Sequence, residues 1–454
     1  MTYWFDMPEV LDDEAYEKEC SRLFDLTEKH FSKAFAVNMR AMREEFIEWR
    51  GEGSYIYDAR GKAFYDAVGA GGVFALGHAH PKITAALRKQ LDRGGLTCRN
   101  GISPGQLELL DRLSQITPGH MQHGYIGNTG TEVMEAAMKL ARLVTGRPEI
   151  IAMHMGYHGM TIATLSITGL TYWKEGIGPL LPECRLISYN NIAAAKLAIT
   201  DKTAAVVLEP VQWGSGCQIA DTHYLQQLRE LCDKHGTLLI FDEMQSGLGR
   251  TGKWFAAEIS GVVPDMIAMG KTLSGGMMPI AALMYNDRVQ EACDKRPLFN
   301  NSTFAGNQLA TATALTALDI VEEDHLLDRV THLGNLLEEE FAALIKDIPE
   351  VYTKQSGIGL MRCLFTTHPQ FGFMIAMLLT KDHHLMLPSM AHSPQVLRAS
   401  PAFTAKDEDM RMIGQALRET GKKVRDMGVE GIGKYMAEIT EKLKKAQENA
   451  QNKQ

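Results

Sequence analysis

Two short runs, Ala204–Leu208 and Leu238–Phe241, contain no polar side chain, and this narrows the folds open to the chain. A strand with one face in water alternates polar and apolar residues, whereas an unbroken apolar strand is covered on both faces. Ile150–Met153, Met266–Met269 and Ile280–Tyr285 have a similar character, and helical stretches separate them. Strands that alternate with helices imply a mainly parallel sheet between two helix layers, an α/β fold.

The chain ends read differently. Glu14 to Lys29 has the spacing of an amphipathic helix, and Gly51-Glu-Gly53 reads as a break. Tyr55-Ile-Tyr57 and Ala63-Phe-Tyr65 flank a turn at Asp58-Ala-Arg-Gly61, which predicts a hairpin. A long helical region starts near Ala310 and runs through Leu326–Lys346, followed by a smaller α+β segment. A single core stops growing at roughly 250–300 residues, so 454 residues call for two domains. The expected layout has residues 76–325 as the large domain. Residues 1–75 and 326–435 together form a smaller one, and 436–454 a charged helical tail.

A net charge of −8, with no long basic block, argues against nucleic acid or an anionic membrane as the main partner. The first residues, Met1-Thr-Tyr-Trp-Phe-Asp-Met-Pro, lack a basic region followed by an apolar run, and no stretch is long enough to span a bilayer. Seven scattered cysteines without a Cys-x-x-Cys pair suit a reducing compartment, so a cytoplasmic enzyme is expected. His78 and His80 have no carboxylate or cysteine at ligand spacing. They read as a loop entering a helix at Pro81, and no metal is expected.

The chemistry centres on Asp265-Met-Ile-Ala-Met-Gly-Lys271-Thr-Leu-Ser-Gly-Gly276. An apolar strand leads inward, a glycine turns the chain, and a single lysine follows. Burial disfavours the charged amine and lowers its pKa. A neutral lysine amine is the nucleophile that forms a Schiff base with an aldehyde or ketone. The competing reading is a surface lysine at a strand end.

Three further segments bear on that choice. Gly127-Asn-Thr-Gly-Thr-Glu132 opens an amphipathic helix, and its free N–H groups with the Thr129 and Thr131 hydroxyls make an anion site. A simple N-cap by Asn128 or Thr129 is the alternative. No Gly-x-Gly-x-x-Gly or Walker pattern occurs, which disfavours dinucleotides and nucleoside triphosphates. Gly156-Tyr-His-Gly159 follows a strand and offers Tyr157 as a face for a flat heterocycle, or as plain core packing. Leu238-Leu-Ile-Phe-Asp242-Glu-Met-Gln245 sets a carboxylate at the carboxyl end of a strand, where doubly wound sheets bind ligands. A buried Asp needs a cationic partner, and a protonated ring nitrogen would serve; a structural helix cap is the alternative. A phosphate cradle, a stacking ring, a carboxylate and an amine are together what pyridoxal 5′-phosphate requires.

The order of these segments resembles the class III aminotransferases, which are fold-type I pyridoxal-phosphate enzymes. The resemblance rests on Asn128-Thr-Gly-Thr-Glu132, Tyr157-His-Gly159, Glu209-Pro-Val-Gln212, Phe241-Asp-Glu-Met-Gln-Ser-Gly-Leu-Gly-Arg-Thr-Gly252, Lys271 and Ser302-Thr-Phe-Ala-Gly-Asn307. It spans roughly residues 50–410, and the extended N-terminus looks more like the putrescine-type members. It implies a seven-stranded-type sheet, Lys271 as the amine that binds the coenzyme and later moves a proton, and Asp242 on the pyridine nitrogen. It also implies Tyr157 and His158 at the ring, Gln245 near its hydroxyl, Glu209 nearby, and Thr129, Gly130 and Thr131 at the phosphate. Thr303 would reach the phosphate of a neighbouring subunit, so a homodimer with shared sites is expected, in some members a dimer of dimers.

One segment departs from the family. Where many members carry Gln-Gly-Glu-Gly after Glu-Pro-Val, this chain reads Gln212-Trp213-Gly214-Ser215-Gly216. The glutamate that gates the substrate arginine is replaced by Gly214, and Trp213 has entered. Arg398, in Val-Leu-Arg398-Ala-Ser-Pro401, is the candidate arginine, left free for a carboxylate, sulfonate or phosphonate. A surface ion pair for Arg398 and packing for Trp213 are the alternatives. The expected activity is transfer of an amino group from a primary amine or ω-amino acid to a pyruvate-like acid or 2-oxoglutarate by a ping-pong cycle. A lyase or a racemase on the same scaffold, and a non-catalytic binding protein, are the competing functions.

Overall fold

The computed structural model describes residues 3–43, 46–94, 101–296 and 300–451. Its centre is a seven-stranded sheet. In chain order the strands are β1 (His123–Gly127), β2 (Glu149–Met153), β3 (Cys184–Ile187), β4 (Thr203–Leu208), β5 (Leu238–Asp242), β6 (Met266–Met269) and β7 (Ala281–Tyr285). They lie side by side as β1-β7-β6-β5-β4-β2-β3. Strand β7 runs antiparallel to β6 and β1, while the pairs β6–β5, β5–β4, β4–β2 and β2–β3 are parallel.

The apolar strands behave as their composition requires. Every residue of β2, β4, β5, β6 and β7 is buried. Alternate side chains feed two separate cores. Val206, Leu208, Leu239, Phe241, Ile267 and Met269 enter one, and Ala205, Val207, Leu238, Ile240, Met266 and Ala268 enter the other. Helix Gly130–Thr145 covers the second core with Val133, Ala136, Ala137, Leu140 and Ala141. The sheet is sandwiched between two helix layers, as expected.

At the chain ends, helix Asp13–His30 occupies the segment expected from Glu14 to Lys29. Strands Tyr55–Asp58 and Ala63–Asp66 form the expected hairpin. The supposed break at Gly51-Glu-Gly53 is partly a strand, Glu48–Glu52, which pairs with Tyr55–Asp58. Short strand Leu385–Met386 adds in parallel to Ala63–Asp66, so segments from both chain ends share one sheet. A second antiparallel sheet contains Tyr352–Ile358, Met361–Thr366, Ser393–Ala399 and Ser389–Met390. The helical region from Ala310 divides into helices Gln308–Glu323 and Leu326–Asp347. The terminal helix starts at Asp407 and runs to Gln451, with Gly428 its one non-helical residue. Cys98 and the last three residues of the tail lie outside the described residues. Among the described helices none is long and apolar enough to cross a membrane.

Candidate active site

A cleft of about 460 Å³ opens where the carboxyl ends of the parallel strands meet the segments that follow them. Gly130, Thr131, Tyr157, His158, Glu209, Trp213, Asp242, Gln245, Lys271 and Arg398 all line it. Ten of the twelve site residues expected from sequence therefore converge on one cavity, at the position where open α/β sheets bind ligands. Thr129 and Thr303 are the exceptions.

Lys271 follows β6 and lies in the left-handed backbone region, φ 43°. That conformation costs a non-glycine residue about 1–2 kcal/mol, and such strain gathers at functional positions. Its Nζ donates to Gln245 Oε1 at 3.3 Å. Burial, followed by the positive charge of Arg398, lowers its pKa to about 8, against the opposing pull of Asp242 and Glu209. Lys271 is half-buried and lines the cleft, which sets aside the surface reading.

Asp242 ends β5 and is buried. Its Oδ2 lies 2.8 Å from Nδ1 of His158, and its Oδ1 accepts the Met244 N–H at 3.0 Å. The protein itself therefore supplies one partner for this carboxylate, the His158 ring. Burial alone would lower the His158 pKa, but the hydrogen bond and charge of Asp242 outweigh it and raise it. The His158 Nε2 has no partner. Sequence reasoning placed His158 near a ring without giving it this role. The adjacency needs a contact across 84 residues, and no local pattern signals that.

Glu209 follows β4. Its two oxygens accept the N–H groups of Tyr157 at 2.9 Å and Trp213 at 3.1 Å. Burial raises its pKa to about 7; His158 opposes that shift, while the Asp242 charge adds to it. One carboxyl therefore ties the loop after β2 to the turn after β4.

Gly130 is the first residue of helix Gly130–Thr145, and Thr129 is its N-cap, accepting the Glu132 N–H at 3.3 Å. The Thr129 side chain caps the helix, and Thr129 is not among the residues that line the cleft. The Thr131 hydroxyl meets Thr161 and Thr164 at 3.1 and 2.9 Å. Asn128 donates through Nδ2 to Ser302 Oγ at 2.9 Å, which fixes the segment carrying Thr303 close to the helix start. Thr303 itself is exposed and outside the cleft of its own chain.

Arg398 lies on strand Ser393–Ala399 and is buried. Burial lowers its pKa. Its Nε and Nη2 have no hydrogen-bond partner, which excludes the surface ion pair considered from sequence. Its guanidinium carbon stands 5.5 Å from the ring centre of Trp213. Trp213 is half-buried and meets Tyr157 edge to face, with ring centres 5.8 Å apart. His392, which sequence reasoning missed, touches the far side of this tryptophan.

A fold with the amine, the anchored carboxylate and the helix start on one cleft defines a class of enzyme, and comparison gives its family. The model of the family "Aminotransferase class-III" matches residues 36–420, and the chain belongs to that family. An ornithine aminotransferase from Toxoplasma gondii is 26% identical, with a TM-score of 0.81 over 92% of this chain and 99% of its own. That structure shows partial occupancy of pyridoxal phosphate at its active site. An acetylornithine aminotransferase from Elizabethkingia anophelis is 29% identical, with a TM-score of 0.75 over 89% of this chain and 99% of its own. The omega transaminase of Pseudomonas jessenii, at 24% identity and a TM-score of 0.77 over 84% of this chain and 94% of its own, shares the fold.

The protein is a class III aminotransferase of fold type I, and its coenzyme is pyridoxal 5′-phosphate. The cleft suits that coenzyme on its own terms. It presents an amine of depressed basicity, a carboxylate oriented by a histidine, and an unpartnered Gln245 Nε2 beside the amine.

Proposed function

We propose that the enzyme moves an amino group from a primary amine or ω-amino acid to a 2-oxo acid in two half-reactions, with Arg398 taking the acid's carboxylate. One observation carries this reading: a buried guanidinium with two unpartnered nitrogens opens onto the same cleft as Lys271. A buried cation without a counter-charge is costly, and an incoming carboxylate supplies that counter-charge with two parallel hydrogen bonds.

When bound, the coenzyme supplies an aldehyde for the lysine and a ring that takes up the electron pair left on carbon. The protein's part follows from its own side chains. Lys271 would hold the coenzyme through Nζ, and its amine is the group that would move a proton at the substrate carbon. Its depressed pKa keeps a usable share of the amine neutral near neutral pH. Asp242 would keep a proton on the ring nitrogen, and His158 fixes the carboxylate in place. Tyr157 supports the ring face, Gln245 attends the ring hydroxyl, and Gly130 and Thr131 receive the phosphate. Glu209 braces the loops on which Tyr157 and Trp213 stand. Thr303 serves the phosphate of a neighbouring subunit in a homodimer.

The test is to give the holoenzyme an amine donor and no acceptor. Stoichiometric accumulation of the aminated coenzyme, discharged by a 2-oxo acid, is expected. Continued turnover without accumulation would instead identify a lyase or racemase.

A further inference from the structure

Trp213 is held from three directions. Its N–H donates to Glu209 Oε2 at 3.1 Å, and its carbonyl accepts the Gly216 N–H at 3.0 Å. The next carbonyl, that of Gly214, lies 2.9 Å from His392 Nε2. A carbonyl only accepts, so His392 carries a proton on Nε2 and donates it. The histidine ring also meets the indole edge to face, with centres 5.2 Å apart and planes at 63°. His392 sits between strands Ser389–Met390 and Ser393–Ala399, so one hairpin carries both this histidine and Arg398.

The turn has no room for a gate. A Cβ at Gly214 would stand 2.0 Å from the Met155 carbonyl oxygen, so no side chain can swing from here towards Arg398. The other charged groups of the cleft are also fixed. Besides Arg398 its cationic side chains are Lys271, which the proton transfer employs, and His158, bound to Asp242. A second carboxylate on the acceptor would find no further cationic side chain among the described residues that line the cleft. A charge left without a partner in a desolvated site selects against a ligand as effectively as a clash.

We propose that His392 is a positioning residue for acceptor choice: it fixes the Trp213–Gly214 turn so that the indole forms a rigid wall at Arg398. The site then admits a short monocarboxylic 2-oxo acid in preference to a dicarboxylic one. This rests on the aminotransferase reading above.

The test uses aminated holoenzyme, freed of donor, and compares its second-order rate constants with pyruvate and with 2-oxoglutarate. Wild type is expected to favour pyruvate by at least about tenfold, the factor that 1.4 kcal/mol represents. Trp213→Ala should cut that preference severalfold. His392→Ala should do the same through the apparent affinity for acceptor, and His392→Gln, which keeps a donor, should restore most of it. Should His392→Ala not fold, His392→Phe keeps the ring contact, loses the donor, and must shift the ratio the same way. A wild type that favours 2-oxoglutarate, or a ratio unmoved in both the Trp213 and His392 variants, overturns the proposal. A wild type whose coenzyme is aminated by none of the amine donors, and whose aminated form neither acid discharges, overturns the aminotransferase reading and this one with it.

Discussion

Nδ1 of His158 lies 2.8 Å from Oδ2 of Asp242, and both side chains are buried. Removing one partner of such a pair strands the other charge away from water, which costs about 3–5 kcal/mol. His158→Phe is therefore expected to lower the stability of the coenzyme-free protein by roughly that amount, read as a fall in urea midpoint. Asp242→Asn should cost less, because His158 can then shed its proton.

The same pair gives stability a pH dependence. The folded His158 pKa is raised, with burial opposing and Asp242 prevailing. The pair's contribution is complete below the ordinary histidine pKa and is lost as pH rises through the raised folded value. Urea unfolding of the coenzyme-free protein should show that decline above the ordinary histidine range in wild type, and His158→Phe should lack it.

Lys271 titrates in the opposite sense for activity. Its amine must be neutral to attack an aldehyde, and burial brings its pKa to about 8. The rate at which coenzyme-free protein takes up added pyridoxal phosphate should rise about tenfold per pH unit below that value and level off above it. Arg398 is the second cause of the depression. Arg398→Gln should move the break to higher pH, and an unmoved break would show that burial acts alone.

The strand pattern exposed most of this architecture in advance. The fully buried strands β2, β4, β5, β6 and β7 announce themselves by apolar runs, with Glu149, Thr203 and Asp242 only at strand ends. Strands β1 and β3 do not, because β1 is the mixed His123-Gly-Tyr-Ile-Gly127 and β3 is only partly buried, with Arg185 in water. Lys271, Asp242 and Gly130 were legible because strand ends and helix starts leave local signatures. The His158–Asp242 contact and the hold of His392 on Gly214 were not, since each joins segments 84 and 178 residues apart. Thr129 was legible as a helix cap, and its hydroxyl does accept the Glu132 N–H.

Gly214 tolerates no side chain in this backbone, because the Met155 carbonyl occupies the place of a Cβ. Gly214→Ala should destabilise the protein by about 1–3 kcal/mol through forced displacement of the turn. It should also slow discharge of the aminated enzyme by any 2-oxo acid. Thermal unfolding and single-turnover absorbance check the two effects separately.

Arg250 is fully buried, donates to the carbonyls of Leu360 at 3.2 Å and Pro401 at 2.6 Å, and covers Phe403 at 4.6 Å. Its loss leaves two carbonyls without a charged donor and opens a cavity. Arg250→Ala is expected to cost at least about 3 kcal/mol, and Arg250→Lys to recover only part of it, measured by urea unfolding.

The hairpin Tyr55–Asp66 gains its outer neighbour only from Leu385–Met386, through bonds such as Tyr65 N–H to His384 O and Ala67 N–H to Met386 O. A ribosome makes the first partner more than three hundred residues before the second, so the growing chain carries an open sheet edge through most of its synthesis. Gly71, which borders the cleft, follows that edge within a few residues. Cofactor capture is therefore expected late in the life of each new molecule, and truncation before residue 385 should yield a chain that leaves pyridoxal phosphate unclaimed.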